Sequence, residues 1–175
     1  MKKYILPVLL VLAACGPSED EIAQMKLTLI PIKEMAEKMD MEDPKTFLYL
    51  NERCTAVYLL AWKWTKEAPK DSWVRNVSGL NLDRDFENDL DYLRSFTINA
   101  RSLSYGDMSN SRNQSKSAKV FQKNYEEILD LYTEPTKQLF FGKDLDWNED
   151  LLSDYVMCDI NLENWKKVEE YYYSN

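Results

Sequence analysis

The stretch PKTFLYLNERCTAVYLLAWKWTKEA, residues 44–68, decides the fold class. Asp43 stands before it as a capping residue, and Pro44 suits a first helical position, where the missing N–H costs nothing. Phe47, Leu50, Cys54, Val57, Ala61 and Trp64 recur at three and four residues, so one helical face holds them all. Tyr58 and Trp62 lie beside that face. Pro69 then ends the segment. No other part of the chain is so apolar at helical spacing, so this segment is expected to be the central helix of the fold.

The same period continues on both sides. Upstream, Ser18 and Glu21 have capping-box spacing. Ile22, Met25, Leu29 and Ile32 share a face, and Met35, Ala36 and Met39 extend it past Pro31, which is expected to kink or split the helix. Downstream, residues 69–83 are irregular. Asp83 is the expected cap of a helix carrying Phe86, Leu90, Leu93, Phe96 or Thr97, Ala100 and Leu103. Small polar residues at 106–115 predict a loop. A further helix is expected over 116–132, with Val120, Tyr125, Ile128, Leu129 and Tyr132 on its apolar side. Glu134-Pro135 predicts a break, followed by a short helix in PTKQLFFGK. Asn148 is placed to cap a segment whose first turn holds Glu149 and Asp150, where acids favour the helix dipole. Leu151, Leu152, Tyr155, Val156 and Cys158 follow. Leu162, Trp165, Val168 and Tyr172 mark a last short helix or a continuation. Only residues 73–77 and 139–141 have the composition of short strands. The expectation is all-α: a single compact domain over 21–175 with four to five main helices, bundle-like or orthogonal, joined by irregular segments.

The chain begins with Lys2 and Lys3 and an apolar run of about eleven residues, too short to span roughly 30 Å of hydrocarbon. A basic start with a short apolar core ending in small residues is an export signal. Leu12-Ala13-Ala14-Cys15 resembles the lipobox of bacterial lipoproteins. That resemblance implies cleavage after residue 14, a diacylglyceryl group on the Cys15 thiol, and acylation of the new amino end. Residues 1–14 would be a removed signal and 15–20 a lipidated cysteine with a very short tether. Two or three acyl chains anchor far more firmly than one. Gly16 rather than Asp follows the cysteine. By the same resemblance this favours the periplasmic face of the outer membrane over the inner membrane, in a cell that has both.

The 175-residue chain has a formal charge of −8, and loss of Lys2 and Lys3 with the signal makes it −10. The acidic balance argues against nucleic acid, whose phosphates need Lys and Arg. It argues equally against general adhesion to anionic lipid, which leaves the anchor to hold the bilayer unaided. Of three cysteines, Cys54 and Cys158 remain after Cys15. An even remainder in an oxidising compartment fits one disulfide between them, with two buried free thiols in a helical core as the alternative.

There is no histidine. This removes the commonest general base near neutral pH, the His-dependent triads and the His-containing zinc sites. Four scattered glycines cannot build a phosphate-cradling loop. No metal, cofactor or catalytic set is expected. The remaining option for chemistry is carboxylate pairs in DRDFENDLD, residues 83–91: Asp85 with Asp89 and Glu87 with Asp91, each at i and i+4. A solvated helix face accounts for them more simply. Asp144 and Asp146 are a weaker pair. Among aromatics, Trp62, Trp64 and Trp73 are candidates to line a ligand pocket, with burial in the core as the plainer reading. Tyr171, Tyr172 and Tyr173 point in different directions on a helix, so they are candidates for an interaction surface.

The leading functional expectation is a non-catalytic envelope lipoprotein, acting as an accessory, scaffold or protein-interaction module. Its partners would be the bilayer, through its acyl groups, and an envelope protein. A small-ligand or glycan-binding lipoprotein is the alternative, and a carboxylate-dependent hydrolase a weaker one.

Overall fold

In a computed structural model of the chain, residues 30–40, 43–70, 72, 75, 82–141 and 149–173 are described. Leu139, Glu149 and residues 168–173 are described by their backbone alone. Five helices make up this part: α1 (Ile32–Lys38), α2 (Pro44–Glu67), α3 (Phe86–Ser104), α4 (Ser111–Phe141) and α5 (Glu149–Tyr173). They pack as one all-α domain with no strand among the described residues.

α2 is the centre. It packs against α3, α4 and α5, and every residue from 48 to 58 is buried. The start follows the sequence: the Asp43 carboxylate accepts from the N–H groups of Lys45 (2.9 Å) and Thr46 (3.0 Å), with Pro44 in the first turn. At the other end the Ala68 N–H donates to the Trp64 carbonyl, just before Pro69. Arg75 covers this end, its guanidinium donating to the carbonyls of Thr65, Ala68 and Pro69. A cation on the last carbonyls of a helix satisfies acceptors that have no partner within it. Cys54 and Cys158 form the expected disulfide, joining α2 to α5 across a sequence separation of 104.

Several boundaries depart from expectation. α3 is capped by Asp85, which accepts from the Asn88 N–H at 3.2 Å; Asp83 lies in the preceding turn. This start leaves Arg84 outside the helix, free to fold its side chain back onto Asp89. Leu103 is exposed rather than part of the apolar face, while Phe86, Leu93 and Thr97 are buried as the period requires. Pro31 sets the start of α1, its carbonyl accepting from the Met35 N–H at 2.9 Å; the expected helix before it, with Ser18 and Glu21, lies outside the described residues.

α4 is the largest correction. It begins at Ser111, because Asn110 supplies the cap: its side-chain oxygen accepts from the N–H groups of Arg112 (2.9 Å) and Asn113 (3.4 Å). The expected loop of 106–115 shrinks accordingly. The helix also runs through Pro135 to Phe141 without a break. A proline inside a helix costs about 3 kcal/mol or more. Here Ile128, Tyr132, Thr136 and Phe140 are buried on both sides of it, and that packing outweighs the local cost. Residues 139–141 are therefore helical, not a strand. The two segments expected near the end are one helix, α5; its predicted cap Asn148 lies outside the described residues.

Candidate functional site

The middle of α2, residues 48–58, is buried, so polar residues there cannot reach water. Glu52 and Arg53 are 1 % and 0 % exposed. Each needs a partner, since an unpaired buried charge is far costlier than a paired one. Arg53 Nε donates to the Tyr132 hydroxyl and Nη2 to Asp154 Oδ2, both at 2.6 Å. Tyr132 donates to the same carboxylate oxygen, and the Ile32 backbone N–H donates to the other at 2.6 Å. One carboxylate thus joins the starts of α1 and α5 to the middle of α2 and α4. Burial alone would lower the Arg53 pKa, but Tyr132, Asp154 and Tyr49 around it raise it, so it stays a cation. Glu52 is held by Arg101 of α3 and by the Asn124 amide of α4 (3.1 Å).

A second polar group lies where α2, α3 and α5 meet. Arg84 Nε contacts Asp89 at 2.5 Å, its Nη1 pairs with Asp159 and donates to the Tyr58 hydroxyl at 3.1 Å, and Nη2 lies 3.9 Å from Glu163. Lys166 adds a second cation to Asp89 at 2.6 Å. The guanidinium also stacks 4.7 Å from the Tyr58 ring centre, and Tyr58, Phe86 and Tyr155 meet edge to face beneath it.

These contacts place the acids of 83–91. Asp85 caps α3, Glu87 and Asp91 are exposed, and Asp89 is buried between two cations. The solvated-face reading therefore fails for Asp89 alone. The i, i+4 pairs do not face a common cleft. No group of three or more metal-ligating side chains forms among the described residues. Asp144 and Asp146 lie outside them.

Of the tryptophans, Trp64 is buried, with its ring 5.8 Å and edge-on to Phe141, so it serves the core. Trp62 is half-buried beneath the Lys66 ammonium, 3.8 Å from its ring centre. Trp73 lies outside the described residues, as does Cys15. Tyr171, Tyr172 and Tyr173 continue the α5 backbone, and their side chains lie outside the description.

An open groove of about 910 Å³ lies at the α3–α4 turn, and no tryptophan is among the described residues that line it. Tyr105, Asp107, Asn110, Arg112, Lys116 and Lys119 line most of it. Gly106 makes the reversal with φ of 102°, a conformation that L side chains rarely adopt. The Asn113 amide donates to the Asp107 carbonyl at 3.1 Å and Gln114 to the Met108 carbonyl at 3.0 Å, so the turn is tied down onto the first turn of α4. The Asp107 carboxylate accepts from the Ser109 hydroxyl (2.7 Å) and N–H (2.8 Å), which lower its pKa and turn it toward its own loop.

No family model matches the chain, and neither a curated protein nor a solved structure matches it.

The function must then be read from the residues. The buried charges Glu52, Arg53, Asp89 and Asp154 were missed by sequence reasoning. Their signal was faint: NER inside the most apolar helix, where charges at 52 and 53 break the pattern of a core-facing segment.

Proposed function

We propose that the chain is an exported lipoprotein, anchored at Cys15 in the cell envelope, whose helical domain is a non-catalytic accessory or protein-interaction module. The observation that carries this reading is the Cys54–Cys158 disulfide taken with the lipobox-like Leu12-Ala13-Ala14-Cys15. A structural disulfide suits a chain that leaves the reducing cytosol. With Cys54 and Cys158 bonded to each other, Cys15 is the remaining cysteine of the sequence, at the position where the lipobox resemblance requires a thiol. The non-catalytic half is supported by the charge arrangement: the buried carboxylates Glu52, Asp89 and Asp154 are each bound to a cation. A general acid or base needs a group that a substrate can reach, and these three are buried against cations instead.

The test is the intact mass of detergent-extracted native protein, alkylated with and without prior reduction. Loss of residues 1–14 with a diacylglyceryl-sized gain supports the anchor, and two further alkylated thiols after reduction support the disulfide. Cys15→Ala should block the mass gain; acylation of that variant would overturn the reading.

A further inference from the structure

Five large apolar side chains are exposed among the described residues, and three stand within six positions at one tip of the domain. They are Leu103, Tyr105 and Met108, at 54 %, 36 % and 48 % exposure. The same tip gathers positive charge on a chain that is acidic as a whole. Residues 101–123 hold Arg101, Arg112, Lys116, Lys119 and Lys123 against the single acid Asp107. Arg101 is turned inward to Glu52, and Lys123 lies 3.9 Å from Glu127. Arg112, Lys116 and Lys119 take part in none of the ion pairs among the described residues. All three are exposed, and their spacing of four and three residues puts them on one face of α4. Lys116 sits 3.9 Å from the Tyr105 ring centre, which ties the cationic face to the apolar turn. The backbone amides at this end of α4 are already taken by Asn110, so the side chains, not the helix terminus, give the tip its character.

We propose that the α3–α4 tip docks on an anionic lipid surface, with Leu103 and Met108 entering the headgroup–acyl boundary, Tyr105 at the interface, and Arg112, Lys116 and Lys119 on lipid phosphates. Charge complementarity selects this occupant. Three unpaired cations beside a small apolar protrusion match a surface whose phosphates lie just above hydrocarbon. Tyrosine suits the boundary because its ring is apolar and its hydroxyl is not. Arg112, Lys116 and Lys119 line, with Tyr105, the open groove of about 910 Å³, where a headgroup would meet them. This contact belongs to the folded domain and stands without the Cys15 anchor. It also revises the inference from net charge: the acidic total hides a local basic face.

The test uses the full chain with Cys15→Ser, so that no lipid is attached, and Met108→Cys carrying a polarity-sensitive fluorophore. Vesicles of phosphatidylcholine alone are compared with vesicles rich in phosphatidylglycerol. The expected result is a blue shift on the anionic vesicles and none on the neutral ones. Arg112→Glu, Lys116→Glu and Lys119→Glu together should abolish the shift and cut the tip's partition by about a hundredfold or more, from the attraction of each cation near such a surface. Far-UV circular dichroism confirms that the exposed substitutions leave the helices in place. No shift on anionic vesicles, an equal shift on neutral ones, or a shift that survives charge reversal would each overturn the proposal. A probe silent on vesicles but perturbed by polyglutamate would also overturn it, and would assign the tip to an acidic polypeptide.

Discussion

Arg53 Nη2 lies 2.6 Å from Asp154 Oδ2, with the two side chains 0 % and 3 % exposed. The pair joins the middle of the central helix to the start of α5, 101 residues away. Its removal from one side leaves a charge with no water to turn to.

Arg53→Met is therefore expected to destabilise the domain by about 3–5 kcal/mol, because Asp154 loses its cationic partner while it stays buried. Adding Asp154→Leu removes the stranded acid and should restore part of that loss, the rest remaining because the Ile32 N–H and the Tyr132 hydroxyl lose their acceptor. Urea unfolding of both single variants and the double variant measures the coupling. Additive losses would show that the pair contributes nothing beyond its two members.

The disulfide closes a loop of about a hundred residues. Cys54→Ala with Cys158→Ala should lower stability by about 4–5 kcal/mol on the chain-entropy model. The denaturation midpoint should fall, with near-native helix content in the absence of denaturant. An unchanged midpoint would mean that the unfolded chain is no freer without the bond.

Pro135 leaves the Leu131 carbonyl of α4 without its i+4 donor. Pro135→Ala supplies that N–H and a good helix former, with no change to the buried neighbours Tyr132 and Thr136. The domain should gain about 1–3 kcal/mol, read as a higher melting temperature. A lower one would show that the helix needs the bend that proline imposes.

Five tyrosines, Tyr49, Tyr58, Tyr125, Tyr132 and Tyr155, have pKa values raised chiefly by burial, Tyr125 and Tyr155 to about 12. The unfolded chain releases those protons near its ordinary value of 10.0, before the folded one does. Deprotonation then favours the unfolded state, so this stabilisation is complete below pH 10 and falls as pH rises from there, through about 12 for Tyr125 and Tyr155. Phenolate absorbance should show fewer ionised tyrosines in the folded protein than in urea across that window. Superposable titration curves would contradict the burial of these rings.

How much of this was legible in the sequence differs from element to element. The all-α class, the centrality of 44–68 and the Asp43-Pro44 start follow from local rules, because apolar spacing and capping act over a few residues. Pro135 misled for the opposite reason: its penalty is local, but Ile128, Tyr132 and Phe140 repay it through contacts far away in sequence. The same distance hid the polar core. Nothing near Arg53 in the chain points to Asp154, and nothing near Asp89 points to Lys166. The basic tip was obscured differently. Arg112 sits among Ser, Asn and Gln that read as a loop, apart from Lys116 and Lys119 on the expected helix, whereas a helix that starts at Ser111 aligns all three along one face.

The hydrogen bond from Ile32 to Asp154 has a mechanical consequence. Tension drawn along the chain from the N-terminal side enters the described fold at Ile30 and Pro31, and the first bond across it is this one. The load passes into Asp154, which shares it with Arg53 on the central helix; one residue beyond Arg53, Cys54 is bonded to Cys158, a single turn beyond Asp154. A tug is thus delivered beside the one covalent rivet of the domain. In single-molecule pulling, Asp154→Asn should let α1 peel away at lower force while the rivet keeps α2 and α5 together.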